Sequence, residues 1–197
     1  MNKLAENTGV NPEAEIWSPV LQQQVFRNLL DCFSYPGRIT ECANKDTTAW
    51  LAILISLLDG ETSLADPHKL LAAEWWPKLE AHPATPEKAE FILADGSQPP
   101  DFVPYTGTLE TPEAGATLVL RVTSLQAGRA GDNCLHMSGP GIKQPLSLGV
   151  EGLHPGWIAA RQAWVAAFPL GVDMVLCDAH RFVALPRTTQ IKTGVEA

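Results

Sequence analysis

Cysteine is sparse in this chain and never clustered. The four residues Cys32, Cys42, Cys134 and Cys177 contain no C-x-x-C pair. That spacing speaks against a zinc knuckle, a dithiol redox motif and an iron–sulfur cluster, all of which need grouped thiolates. Each cysteine lies in or beside an apolar segment, so the expectation is four buried, reduced thiols that pack as small hydrophobes. Positive charge is also short. Fourteen Lys and Arg face 22 Asp and Glu, for a formal charge of -8, and the cations are scattered. Nucleic-acid binding rests on neutralising phosphates and is disfavoured, whereas a partner with a basic face suits an acidic surface. Long apolar runs are missing: the longest, 49–58, stops at Asp59-Gly60, short of a bilayer span. Met1 to Asn7 shows no apolar core of a signal peptide, and the expectation is a cytoplasmic protein.

Local catalytic signatures are absent too. The chain has no G-x-x-x-x-G-K-[ST], no G-x-S-x-G and no H-E-x-x-H, so a phosphate loop, a nucleophile elbow and a zinc helix are not indicated. It has no internal repeat and no low-complexity tract.

What is present reads as one ordinary globular domain. The chain has 197 residues, 45% hydrophobic and 18% charged, enough for a core without staples. Residues 1–16 read as a flexible N-terminal tail, 17–189 as a single α/β domain and 190–197 as a polar C-terminal tail. Ser18-Pro19 opens a helix, with Leu21, Val25, Phe26, Leu29, Leu30 and Phe33 on one apolar face. Tyr35-Pro36-Gly37-Arg38 closes it with a type II turn signature. A second helix, capped by 46–48, runs through Leu58, and a third is expected from Asp66-Pro67 to about Leu79. Strands are expected near 61–65, 90–94, 117–123 and 134–138. In the third of these Leu118, Leu120 and Val122 share a face, and Val119 breaks the alternation. Residues 127–132 read as a glycine-containing turn and 145–150 as a loop or edge segment. A helix over 155–167 delivers the chain to two β-rich runs, 172–177 and 182–185, separated by Asp178-Ala179-His180-Arg181, which is a hairpin pattern. Interleaved helices and strands define the class as α/β, a three-layer mixed β-sheet with helices on both sides.

Few residues stand out chemically. Gly139-Pro140-Gly141, followed by Ile142, reads either as a backbone cradle for a phosphate or phosphonate or as a tight strand-ending turn. Arg187-Thr188-Thr189 sets a guanidinium beside two hydroxyls after Pro186, which suits an anion, a partner carboxylate or simple closure of the hairpin. Gly139, Gly141, Ile142, Arg187, Thr188 and Thr189 are therefore the candidate anion or partner contacts, and no catalytic residue or metal ligand is assigned. Asp178 with His180 is either an acid/base pair or turn chemistry. His136, inside a strand, reads as a satisfied sheet histidine. Arg27 and Arg161 lie on helices beside aromatics, as interface cations or snorkelling side chains. Trp75-Trp76 and the pair Trp157/Trp164 read as core or subunit contact.

The motifs taken in order resemble a known family. Phe26-Arg27-x-x-Leu30, Ser34-Tyr35-Pro36-Gly37, Thr106-Gly107-Thr108, Pro112 to Leu118, Gly139 to Ile142, Phe168 to Asp173 and Leu185 to Thr189 resemble the PhnH family, the H subunit of the carbon–phosphorus lyase core complex. The likeness spans about 20–189 and is weakest between about 60 and 110. It implies bacterial phosphonate use, a homodimer, and work with the G, I and J subunits. In that assembly adenine of ATP is displaced and ribose triphosphate is coupled to an alkylphosphonate, giving a ribose 1-phosphonate 5-triphosphate. It also implies a fold similar to the large domain of pyridoxal-phosphate-dependent transferases, with no cofactor bound. Lys143, after the Gly139–Gly141 turn, is the lysine to test for a Schiff base, and Asp173 begins a strand where a ring-nitrogen partner would sit. Rival readings are a stand-alone phosphonate- or nucleotide-binding module, and a small-molecule enzyme with a remnant cofactor pocket.

Overall fold

The computed structural model describes residues 16–43, 47–128 and 134–193. Helix α1 (Pro19–Ser34) leads through strand β1 (Thr40–Glu41) to helix α2 (Ala49–Leu57). Strand β2 (Ser63–Ala65), the one-turn helix α3 (Trp76–Leu79), β3 (His82–Pro83), β4 (Phe91–Asp95) and β5 (Thr117–Arg121) follow. Then come β6 (Ser124–Ala127), β7 (Cys134–Ser138), β8 (Leu146–Glu151), helix α4 (Gly156–Trp164), β9 (Asp173–Cys177), β10 (Arg181–Leu185) and β11 (Gln190–Thr193).

Seven strands form one sheet in the order β1-β10-β9-β5-β4-β2-β3. The run from β9 through β3 is parallel, and β10 and then β1 are added antiparallel to their neighbours. A second, four-stranded antiparallel sheet has the order β11-β7-β8-β6. Parallel strands are stable when both faces are covered, and both are. Leu93, Val119 and Val175 pack against α1 and α2 through Val25, Leu29, Ile53 and Leu54. Ile92, Leu118, Leu120, Met174 and Leu176 pack against Leu125, Leu135, Leu148 and Val150 of the second sheet and against Trp157 and Ile158 of α4. The chain is thus a mixed α/β protein, but a sheet covers much of the face expected to carry helices alone. Val119 is no exception to the alternation: it faces the helices while Leu118 and Leu120 face the second sheet, and all three are fully buried.

Several local expectations hold. Pro36 and Gly37 occupy the centre of a turn in which Arg38 N–H donates to Tyr35 O at 3.2 Å and Gly37 has φ +84°. A Cβ there would meet Met137 Cε at 2.6 Å, the movable end of a flexible side chain, so it is the positive φ that favours glycine. The 172–177 and 182–185 runs form the antiparallel β9–β10 hairpin. His136 pairs across strands with Ser147, Nδ1 to Oγ 2.9 Å.

Others are corrected. The helix expected over 66–79 is reduced to Trp76–Leu79. The Asp66 carboxylate accepts the N–H groups of Leu70 and Leu71 at 2.9 and 2.8 Å, and Lys69 adopts φ 54°; side-chain capping of this kind competes with helix. Residues 145–150, expected as loop or edge, fall largely within β8, which lies between β7 and β6. Residues 190–193, expected as tail, form β11 against β7, with only Ile191 buried. Ile16, assigned to the N-terminal tail, is a core residue. Strands β1, β3 and β6 were not expected. The rest of the two tails (1–15 and 194–197), residues 44–46 and residues 129–133 of the 127–132 turn lie outside the described residues. Among the described residues no helix is long and apolar enough to cross a membrane.

Because the central sheet is sealed on both faces, Leu93→Ala and Leu120→Ala, on opposite faces, should each cost about 2–5 kcal/mol in denaturant unfolding. A sheet with one wet face would show that loss for one variant only. A second expectation concerns acid. Burial disfavours the Asp95 carboxylate, but hydrogen bonds from the Ser97 hydroxyl and N–H and from Arg121 outweigh it and hold its carboxyl below the ordinary range. A carboxyl depressed in the folded state contributes stability above its unfolded pKa, and that contribution is lost as pH falls through the folded one. Asp95→Asn should therefore flatten part of the stability loss below pH about 4 in a pH series of thermal midpoints.

Candidate functional site

The site at the N-terminal edge of the parallel strands is built around Asp173, the first residue of β9. Arg187, two residues past β10, reaches it because the hairpin returns the chain there. The Asp173 carboxylate accepts Arg187 N–H at 2.7 Å on Oδ1, and Nη2 at 2.7 Å and Nε at 3.2 Å on Oδ2. Arg187 Nη1 donates to Pro112 O at 2.6 Å and to Pro169 O at 3.4 Å. One guanidinium thus joins the β9–β10 hairpin to the two loops that enter β5 and β9. A Cβ at residue 115 would lie 2.2 Å from Gly171 O and 3.1 Å from Arg187 Nη1, so Gly115 is what lets these segments meet. The partner carboxylate of Arg187 is Asp173 of the same chain.

A second guanidinium stands behind the first. Arg161 of α4 is 1% exposed and donates Nη2 to Pro186 O at 2.5 Å. It does not snorkel. Burial lowers its pKa to about 10 while the Asp173 charge opposes the shift, so it remains cationic at neutral pH. Thr189 is buried, with its N–H on Pro186 O at 2.9 Å, and Thr188 is exposed. Arg161 Nε and Thr189 Oγ1 are buried without a hydrogen-bond partner.

The two candidate stretches come together. A Cβ on Gly139, which has φ +131°, would lie 3.1 Å from Thr188 O, and one on Gly141 would lie 2.5 Å from Ser34 O and 2.7 Å from Pro36 Cδ. The Gly139–Ile142 turn therefore wedges between the 187–189 segment and the C-terminus of α1. Its own 3.1 Å bond, Ile142 N–H to Gly139 O, is that of a tight turn. Lys143 is exposed beside it.

Asp178 and His180 lie at the opposite, C-terminal edge. Together with Glu41, Cys42, Thr123, Ala179 and Arg181 they line a cleft of about 450 Å³. Asp178 is buried and fully engaged. It accepts from the N–H groups of Leu125, His180 and Arg181 at 3.2, 3.1 and 2.8 Å, and from Arg181 Nη2 at 2.6 Å. Those bonds make it the organiser of the hairpin turn, and its hydrogen bond with the exposed His180 is to that residue's backbone N–H. The cleft gathers residues far apart in sequence, and no local motif signals it.

Aromatic packing supports this scaffold. Trp157 is buried, donates Nε1 to Gln98 O at 2.8 Å, and meets Trp164 and Phe102 edge-on. His68 lies beside it, its Nδ1 accepting Asp95 N–H at 2.9 Å. The four cysteines are buried and form no disulfide, and burial drives the Cys177 thiol well above its ordinary pKa. Among the described residues no group of His, Cys, Asp or Glu could hold a metal ion.

These observations define a class: a mixed α/β chain whose charged groups brace its own loops, with no nucleophile–base or metal constellation among the described residues. The chain belongs to the family described as bacterial phosphonate metabolism protein (PhnH), which matches residues 15–192. It is 43% identical over 176 residues to the putative C-P lyase subunit protein HtxG of Stutzerimonas stutzeri, covering 89% of this chain and 88% of that one. It is 32% identical over 188 residues to the alpha-D-ribose 1-methylphosphonate 5-triphosphate synthase subunit PhnH of Rhizobium meliloti (strain 1021), covering 88% and 92%.

Removing the Asp173 charge leaves Arg187 without its carboxylate and Arg161 without the negative charge that opposes its pKa shift. Asp173→Asn should cost about 1–3 kcal/mol, less than the scale for breaking a fully buried ion pair because both side chains keep some exposure. Arg187→Lys should lose much of the same, since an ammonium lacks the planar fork that meets Asp173, Pro112 and Pro169 together. Chemical denaturation of both variants checks this.

Proposed function

We propose that this chain is the H-type subunit of a carbon–phosphorus lyase core complex. It takes part in forming a ribose 1-phosphonate 5-triphosphate from ATP and an alkylphosphonate, and it does so as a partner-dependent subunit with no catalysis of its own. The observation that carries the reading is family membership over nearly the whole chain, joined to a site whose Asp173 and Arg187 are consumed in bracing loops. On this reading the chain is a cytoplasmic homodimer when alone and assembles with G, I and J subunits. The seven-stranded sheet is then a relative of the large domain of pyridoxal-phosphate-dependent transferases that works without the cofactor. Asp173 bears on that view: the acidic residue at a strand start has its charge paired with Arg187, which donates to both carboxylate oxygens.

The anion or partner role of the candidate residues is carried by the part of the edge that stays open. Gly141 and Thr188 are exposed and Gly139 and Ile142 half-exposed, whereas Arg187 and Thr189 act from behind as supports. A second reading, a stand-alone phosphonate- or nucleotide-binding module, is favoured by the 450 Å³ cleft with its half-exposed Arg181 and exposed His180.

Co-expression with G, I and J subunits, affinity capture and size-exclusion chromatography separate the two. Co-elution in fixed stoichiometry is expected. Elution of this chain alone, with the other three assembled without it, would overturn the subunit reading. Calorimetry of the isolated chain with ATP and with methylphosphonate would then test the cleft, with Arg181→Ala as the variant that should abolish any heat.

A further inference from the structure

Helix α1 carries more apolar surface than the core uses. Val25, Leu29 and Cys32 are buried, and they define its inner face. Phe26 and Leu30, one turn apart, form a second stripe at its edge that stays 43% and 52% exposed, and Tyr35 at the helix C-terminus is 51% exposed. Residues four apart on a helix are neighbours, so Phe26 and Leu30 make one continuous ridge. The Gly139–Ile142 turn borders this surface, because Gly141 packs on Ser34 and Pro36, the residues on either side of Tyr35. Isolated exposed apolar residues need no explanation, but a contiguous patch of aromatic and aliphatic side chains marks an interaction site.

The rim gives the partner's chemistry. The chain as a whole is acidic, at -8, yet the cations Arg27, Arg38 and Lys143 stand around this patch and Asp31 is its one carboxylate on α1. Arg27 lies three residues from Leu30 on the helix, is exposed and forms no ion pair among the described residues. Arg38 meets Asp31 at 3.4 Å with both side chains 61% exposed, a pairing of little strength. Lys143 follows the turn that abuts Ser34. A second copy of the chain is a poor occupant, because a two-fold contact through the patch would set this predominantly cationic rim against an identical one.

We infer that the Phe26–Leu30–Tyr35 ridge of α1, with its Arg27, Arg38 and Lys143 rim, docks into an apolar groove rimmed by carboxylates on a different protein subunit. The inference rests on the partner-dependent reading above and deepens it by naming the surface. Phe, Tyr and Arg at the centre and rim of a patch are the residue types that dominate interface energies. The charged rim sets orientation and gives the contact its salt dependence.

The test uses the full chain co-expressed with G, I and J subunits, the tag being on one of those three. Leu30→Glu should reduce recovery of this chain by about tenfold or more, as a hot-spot loss does. Arg27→Glu should weaken recovery at low salt and remove its dependence on added potassium chloride. Neither should move the thermal midpoint of the isolated chain, because both side chains are exposed. Full recovery of Leu30→Glu would overturn the proposal. So would a change in the oligomeric state of isolated Leu30→Glu, which would assign the ridge to contact between copies. If the wild-type chain itself is not recovered, the subunit reading falls, and the proposed surface with it.

Discussion

The Asp173–Arg187 pair is the constraint on which the rest of the edge depends. Asp173 opens a central strand and Arg187 closes the hairpin that follows. The carboxylate fixes the backbone of residue 187 as well as its guanidinium. The guanidinium then reaches two carbonyls on loops distant in sequence, at Pro112 and Pro169. Such a planar, multi-donor group can hold three segments at once, which an ammonium cannot. Gly115 is small because the loops must pass this close, and Gly171 takes φ +148° against Val165.

That junction explains why the candidate residues are better understood as a braced edge than as an open ligand cradle. Arg187 and Thr189 lie behind the surface, and the Gly139–Ile142 turn closes over them toward α1. A partner-facing surface needs rigid support of this kind, since ordering loops on binding is costly. The buried Arg161 adds charge to the same place. It stands against Asp173 without a carboxylate of its own, so this end of the molecule holds two cations around one anion. The cleft at the other edge is organised differently. There a single carboxylate, Asp178, is saturated by three backbone N–H groups and one arginine, which fixes a turn and leaves the neighbouring imidazole free.

Family membership and physical reading agree in character. The chain belongs to the phosphonate metabolism family, and the charged groups at its braced edge are engaged with loops of the same chain. The sealed double-faced core has no need of Phe26 or Leu30, yet α1 carries both with about half of each side chain exposed.

By itself the sequence determined the α/β class, the type II turn at Tyr35–Arg38, the β9–β10 hairpin, the buried α2 and the family. All of these are local patterns or ordered motifs: proline and glycine at a turn centre, short apolar runs at hairpin spacing, helical periodicity. Tertiary structure decided what has no local signature. Strand β11 has one buried residue and reads as tail until β7 pairs with it. The helix expected after Asp66 gave way to a side-chain cap. Val119 broke the alternation only because a one-faced strand was assumed. The role of Arg187 was open because the carboxylate it meets lies fourteen residues away and its two carbonyls lie in other loops. Side-chain partners at that separation are set by where strands pair and which faces are covered, and a linear pattern does not encode either.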